Sequence, residues 1–168
     1  MAILATDITT RLSGGAANAD PNASLGGAMS SVAFADNVAN NLFDDVSGAE
    51  ASAGDVEYRC FYVRNGHATL PWLAPKIWLS TLTTSADTEF DIGLATEGVS
   101  AAAASIANEG TAPAGVTFSR PTTKGAGLSF PDIPAGGYHG VWIRRTVNAS
   151  AAAANDSGAF TIEGESAP

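Results

Sequence analysis

The sequence has few of the residues that carry out chemistry. Its 168 residues include two histidines, one cysteine and eight lysines and arginines. No spacing among them assembles a catalytic nucleophile, a metal site or a phosphate-binding loop. We therefore expect no enzyme activity, no cofactor and no bound metal, and a function that depends on a binding surface.

Clustered positive charge is also missing. The formal charge is −9, and Arg144 and Arg145 are the one adjacent pair of cations. Proteins that bind nucleic acid through phosphates need clustered lysine and arginine to displace counterions, so we expect no nucleic-acid partner. The acidity suits a protein partner that carries basic patches.

The sequence also lacks the residues for a disulfide within the chain and for a membrane-spanning helix. Cys60 has no second cysteine to pair with. No apolar run approaches the ~20 residues that cross a bilayer. The opening residues lack the basic and then apolar stretch of a secretory signal. We expect a chain that is made in a reducing cytoplasm and has no membrane partner.

The first part of the chain has few large apolar residues. Residues 1–50 are rich in Ala, Gly, Asn and Ser, a composition that favours an extended arm ordered on a neighbouring surface. Val38, Leu42 and Val46 recur every four residues and permit a helical turn near 36–46. The alternative is an N-terminal strand and loops that pack within the chain's own domain.

The apolar pattern of residues 51–168 predicts a β-rich body. From Asp55 the apolar pattern alternates with period two, which is typical of a strand. Similar short segments, separated by turn residues, continue to the end of the chain. The predicted strands are 55–63, 77–81, 90–94, 116–118, 128–130, 138–147 and 159–163. We interpret residues 99–108 as one or two helical turns and 149–154 as a hairpin loop. About seven strands of this kind favour a mainly β fold, an antiparallel two-sheet β-sandwich.

Two groups of residues could carry chemistry, and each has a simpler explanation. Glu89 and Asp91 share one face of a strand and could in principle share a proton. Acids on the wet side of a strand are common and need no chemistry. Cys60 alternates with Tyr58 and Tyr62 on the apolar face, so we expect a buried thiol and not a reactive one.

Trp142 and Arg144 are the strongest candidates for a contact surface. They share the strand face opposite the presumed core, and exposed Trp beside Arg is typical of protein–protein interfaces. Two alternatives remain: both faces of a central strand are buried, or Trp142 packs under the N-terminal arm.

A family resemblance rests on several segments taken together. They are residues 11–15 (RLSGG), 18–27 (NADPNASLGG), 41–46 (NLFDDV), 54–60 (GDVEYRC) and 141–147 (VWIRRTV). The chain resembles the small structural proteins of tailed-bacteriophage virions, above all those that decorate or cement the capsid. By analogy, the resemblance implies a β-rich body, frequent assembly as a trimer, and extended arms that reach neighbouring capsid subunits.

The resemblance implies a non-enzymatic role on the outside of the head. The expected partners are the major capsid protein and other copies of the chain, on virions assembled in the host cytoplasm. The interface candidates are Arg11, Leu12, Leu25, Leu42, Phe43, Trp142 and Arg144. If residues 1–50 are an arm, deleting residues 1–30 should leave a folded body that no longer binds capsids.

Two other functions stay open. One is a tail- or fibre-associated module that binds a host surface or other tail proteins. The other is a β-sandwich glycan hydrolase that uses Glu89 and Asp91.

Overall fold

Two antiparallel sheets make up the fold. The structure, a computed structural model, describes residues 2–34, 36–152 and 156–166. One sheet has four strands, in the spatial order β1-β2-β6-β4, and the other has three, in the order β5-β3-β7. The strands are β1 (Ile8–Leu12), β2 (Asp55–Asn65), β3 (Trp72–Thr81), β4 (Thr88–Leu94), β5 (Leu128–Ser129), β6 (Tyr138–Val147) and β7 (Ala159–Ser166). The predicted two-sheet β-sandwich is confirmed.

Helix is confined to three short elements in the described part of the chain. Two are 3-10 turns, at Ala5–Asp7 and Pro21–Ala23, and one is an α-helix, α1 (Gly48–Ala53). Ser47 begins α1 by accepting the amide of Glu50, whose carboxylate accepts the amide of Ser47 in return. This reciprocal pair satisfies amides at the helix start.

Three predicted local elements are wrong. The turn near 36–46 is not helical, because Asn37 and Asn40 both take a positive φ of 56°, which interrupts a right-handed helix. Residues 99–108 form no helix. Residues 116–118 form no strand either, and the nearest pairing is a single bridge between Ile92 and Ser119.

The predicted hairpin at 149–154 falls partly on residues 153–155, which lie outside the described residues. The strands on either side, β6 and β7, belong to different sheets. β6 and β7 are therefore not the two strands of a β-hairpin.

The first fifty residues are integrated into the sandwich. β1 pairs with β2 from Ile8 opposite Asn65 to Leu12 opposite Phe61. Leu12, Phe34 and Leu42 are buried in the main core. The expected extended arm is thus not confirmed. The alternative, a strand and loops within the same domain, describes residues 2–34 and 36–50, and the packing shows no boundary at residue 50.

Glycine in this N-terminal region permits close packing. A Cβ on Gly26 would lie 2.3 Å from the carbonyl oxygen of Ala104, and Gly26 has a φ of +88°. A Cβ on Gly14 would similarly lie 2.4 Å from the carbonyl oxygen of Ala23. The small residues that suggested an extended arm let this segment lie close against its neighbours.

The main core lies between the two sheets. Phe61 and Val63 of β2 and Val141 and Ile143 of β6 meet Ile77 and others from the second sheet. Phe61 stacks on Phe160 of β7 with ring centroids 5.0 Å apart. This cluster accounts for one face of the four-stranded sheet.

The opposite face of the same sheet is also buried. Tyr58, Cys60, Tyr62 and Trp142 form a second cluster there. It is covered by two irregular segments, residues 13–30 and 95–119, which supply Met29, Ala95, Ala103, Ile106, Val116 and Phe118. The central strands are therefore covered on both faces around Trp142, as the first alternative for Trp142 required.

Tyr62 links the two covering segments. Its hydroxyl donates to the Gly27 carbonyl and accepts the Ala103 amide at 2.7 Å. The amide of Gly27 donates in turn to the Ala103 carbonyl at 2.8 Å. One buried hydroxyl thus fixes both segments to each other and to the sheet.

We expect Tyr62→Phe to destabilise the protein by about 1–3 kcal/mol, because it leaves a buried amide and a buried carbonyl without their partner. Urea unfolding would measure the change. Tyr138→Phe is the matched control, since the structure gives the Tyr138 hydroxyl no hydrogen-bond partner among the described residues; its effect should be within about 0.5 kcal/mol. Equal effects of the two variants would contradict the assignment.

Deleting residues 1–30 should prevent the body from folding. The deletion removes β1, exposes the edge of β2, and takes away Leu12, whose truncation to alanine alone would cost about 2–5 kcal/mol. Circular dichroism and thermal unfolding of the truncated chain would check this. A truncated protein that still unfolds cooperatively would restore the arm interpretation.

Candidate binding surface

Glu57, Arg59 and Arg145 form a buried charge cluster. They project from β2 and β6 on the face that also bears the main core, and the Arg59 side chain is fully buried. Arg145 donates to the carboxylate of Glu57, and Arg59 donates to that of Glu109. Burial raises the pKa of Glu57, and the guanidinium groups of Arg145 and Arg59 oppose that shift.

The ring of Phe43 lies against both arginines of this cluster. The guanidinium carbon of Arg145 is 4.9 Å and that of Arg59 is 5.4 Å from the ring centroid. The backbone carbonyl of Asp44 accepts a hydrogen bond from Arg145. These contacts hold the segment around Phe43 on the sheet. They also engage the charged groups of the cluster with one another, so these groups are not free to bind a substrate.

A second charge cluster holds the covering segment on the opposite face. Asp91 accepts hydrogen bonds from Arg144 at 2.7 Å and from Arg120 at 3.1 Å. Arg120 also donates to Glu89 at 2.7 Å, and this bond is the main cause that lowers the pKa of Glu89. Arg144 additionally lies 5.2 Å from the centroid of the Phe118 ring.

This geometry corrects the interpretation of Glu89 and Asp91. Asp91 is buried beneath two arginines and does not face water. A general acid needs a raised pKa, whereas Arg120 favours the ionised form of Glu89. The arrangement supports a role in holding the loop.

The structure places three interface candidates in the interior. Trp142 is 1% exposed, and Leu12 and Leu42 are buried in the main core. The prediction that Trp142 is exposed is wrong, because residues 95–119 cover its face. The remaining candidates are partly exposed, and their contact with another molecule stays a prediction: Arg11, Leu25, Phe43 and Arg144.

Cys60 and His139 are both buried. The Cys60 side chain has no exposure, as expected, and burial raises the pKa of its thiol. His139 packs against the ring of Phe130 at 5.4 Å between centroids. Burial lowers the pKa of His139, with the Gly140 carbonyl and Glu97 acting in the opposite direction.

No group of three or more His, Cys, Asp or Glu side chains in residues 2–34, 36–152 and 156–166 is arranged to hold a metal ion. Within the same residues, no helix has the length and apolar character to cross a membrane.

A groove lies between the two sheets. It has a volume of about 430 Å³ and lies between β1, at the edge of one sheet, and β7, at the edge of the other. Its lining combines apolar residues, Ile3, Leu4, Ile8, Trp72, Phe160 and Ile162, with the polar residues Thr10, Asp36, Glu163 and Ser166. Several of these belong to the main core or pack against it. The groove is therefore a place where the core of the sandwich opens to solvent.

One exposed apolar side chain lies on the wall of this groove: Leu4 is 56% exposed. The charged residues on the lining are Asp36 and Glu163, both acidic. Exposed apolar surface with a polar rim is typical of a binding site for another macromolecule.

Sequence reasoning did not find this groove. The pattern of the sequence predicts a last strand at Phe160 and Ile162 and leaves an N-terminal strand within residues 1–50 as an alternative. It does not say that the two strands are edges of different sheets that border one gap. That information depends on long-range pairing.

We expect His139 to make the protein less stable in mild acid. Because burial lowers its pKa in the folded state, the unfolded chain takes up a proton first as pH falls through the ordinary value near 6.5. Urea unfolding at pH 7.5 and 5.5 should show a smaller loss of stability in His139→Gln than in the wild type. An equal loss in both proteins would contradict a neutral buried imidazole.

Comparison with known proteins adds no family to this geometry. No protein family, curated protein or solved structure matches the chain.

Proposed function

We propose that this protein is a non-enzymatic structural protein of a tailed-bacteriophage virion, which binds the outer surface of the capsid and stabilises the head. The observation that carries the proposal is the groove on the open side of the sandwich, whose lining includes exposed Leu4 and other apolar residues beside the acidic Asp36 and Glu163. The resemblance of residues 11–27, 41–46, 54–60 and 141–147 to such proteins supports the virion assignment. The major capsid protein and other copies of the chain, assembled as a trimer, are the proposed partners.

The physical basis of this role is linkage between binding and assembly. A protein that binds the closed shell better than its separated subunits shifts the equilibrium toward the shell. Many copies repeat the effect over the particle. The charge of −9 favours docking on basic patches of the shell.

The other notable side-chain clusters support a binding role as well. Within each of the two charge clusters, the arginines and carboxylates bind one another and hold a covering segment on the sheet. The groove, by contrast, exposes apolar surface that nothing else in the described chain covers. A partner is the natural occupant of such a surface.

Leu4→Asp should weaken binding to heads at least about tenfold, since it places a charge on the apolar wall of the groove. The assay mixes purified protein with phage heads assembled without it and measures the bound fraction by sedimentation. Leu82→Asp is the matched control, because Leu82 is 42% exposed but does not line the groove.

Circular dichroism of both variants would show that each remains folded. Failure of the wild-type protein to bind heads would overturn the proposal. Binding to isolated tails, with none to heads, would support the tail-associated alternative. Equal binding by Leu4→Asp and Leu82→Asp would show that heads bind elsewhere on the chain.

A further inference from the structure

The backbone of β7 points unused hydrogen-bonding groups at the groove. Opposite residues of an antiparallel pair either exchange both backbone hydrogen bonds or direct both sets of groups away from each other. On β3, the amide of Leu79 donates to Pro121, away from β7. Leu79 stands opposite Phe160, and Ile77 stands opposite Ile162. The N–H and C=O groups of Phe160 and Ile162 therefore face the open edge.

The edge of β1 is less available. Leu12 exchanges hydrogen bonds with Ser30 and Val32, on the side away from β2. The amide of Ile8 donates to Ala5. Thr10 is thus the one residue of β1 whose amide and carbonyl both point outward without a backbone partner among the described residues. β7 offers a longer free edge.

We propose that the groove receives an extended segment of a different protein, which adds as a strand to the edge of β7. This inference rests on the proposed function only for placing the partner in the virion. The added strand would complete backbone hydrogen bonds with Phe160 and Ile162 and direct alternate side chains onto the apolar walls. Strand addition of this kind gains affinity from the backbone and specificity from alternate side chains.

The inward side chains of the added strand have a surface to pack on. Phe160 and Ile162 are partly buried and pack against the main core, as does Ile8 across the gap. Gly164 continues the groove-facing row of β7. A Cβ there would lie 2.5 Å from the indole nitrogen of Trp72, so the absence of a side chain leaves that indole able to line the groove.

Charge identifies the occupant as a basic segment. Glu163 and Glu165 alternate with the inward row of β7, and Asp36 lies on the groove lining. Lys124 pairs with Glu163, but Asp36 and Glu165 have no ion pair among the described residues. Opposite charges on neighbouring strands stabilise a sheet. Lysine or arginine at alternate positions of the added strand would meet these carboxylates.

The same charges argue against a second copy as the occupant. Two β7 strands that paired edge to edge would bring the glutamates of one strand near those of the other, and like charges across strands are destabilising. Acidic residues on an edge strand also protect it from self-pairing. The complementary partner is an apolar and basic strand from another chain.

The test uses the full-length protein and a short synthetic peptide of alternating valine and lysine. Hydrogen exchange followed by NMR would report each amide of β7. At about 90% occupancy, exchange of the Phe160 and Ile162 amides should slow about tenfold. The amides of Thr161 and Glu163, which face β3, serve as internal controls and should change much less. Asp36→Asn should weaken binding of the same peptide while leaving the fold intact.

Two peptide controls separate the parts of the proposal. N-methylation of alternate peptide amides removes donors from one edge and should abolish the protection. Replacing lysine with glutamate should weaken binding at least about tenfold. Protection of Phe160 and Ile162 by protein concentration alone, with dimers in sedimentation, would overturn the inference in favour of a second copy.

An unchanged exchange rate with the lysine peptide would also overturn it. Because this assay contains no heads, its failure would leave the head-binding result untouched. If the protein binds the peptide but not heads, the result supports strand addition and overturns the proposed function.

Discussion

The pairing of β2 with β6 is the interaction on which the rest of the structure depends. The two strands are aligned over ten residue pairs, from Asp55 opposite Val147 to Arg64 opposite Tyr138. They lie in the middle of their sheet, with β1 and β4 outside them. Both faces of the pair are buried, one under the second sheet and one under residues 13–30 and 95–119. The second sheet covers only one face of this pair. The irregular segments 13–30 and 95–119 therefore have to be held in place over the other face.

Polar contacts do much of that holding, since the covering segments contain few large apolar residues. The Tyr62 hydroxyl joins two of them. Arg59 and Arg145 hold the segment around Phe43, and Asp91 is shared by Arg120 and Arg144. Buried ion pairs add little net stability compared with apolar packing, but losing one partner costs about 3–5 kcal/mol because it leaves a buried charge alone. Such pairs fix the position of a loop on the sheet. This matters here because the covering segments have few large apolar side chains that could fix their position by packing.

The sequence predicts the longest strands well, and it predicts poorly what packs against them. Alternation located β6 with its observed bounds and β2 to within two residues at its end, because a strand's period is local. The burial of Trp142 could not be read in the same way, since it depends on residues more than twenty positions away. The composition of residues 1–50 misled for a physical reason: glycine and alanine allow close approach to a sheet as readily as they allow disorder. Nor does any local pattern show which strands become edges, and the groove exists only because β1 and β7 are both edges.

A sandwich with an open side has to reconcile binding with solubility. An exposed edge strand beside apolar walls is a template for unwanted pairing, and here the core opens along such an edge. The carboxylates of Asp36, Glu163 and Glu165 oppose edge-to-edge pairing between the β7 strands of two identical chains. They leave the backbone groups of Phe160 and Ile162 accessible to a strand of opposite charge. In the proposed mode of binding, the negative charge that keeps two β7 edges apart would also select a basic strand, so that specificity at this groove would come from repulsion of a like edge as much as from attraction of the right partner.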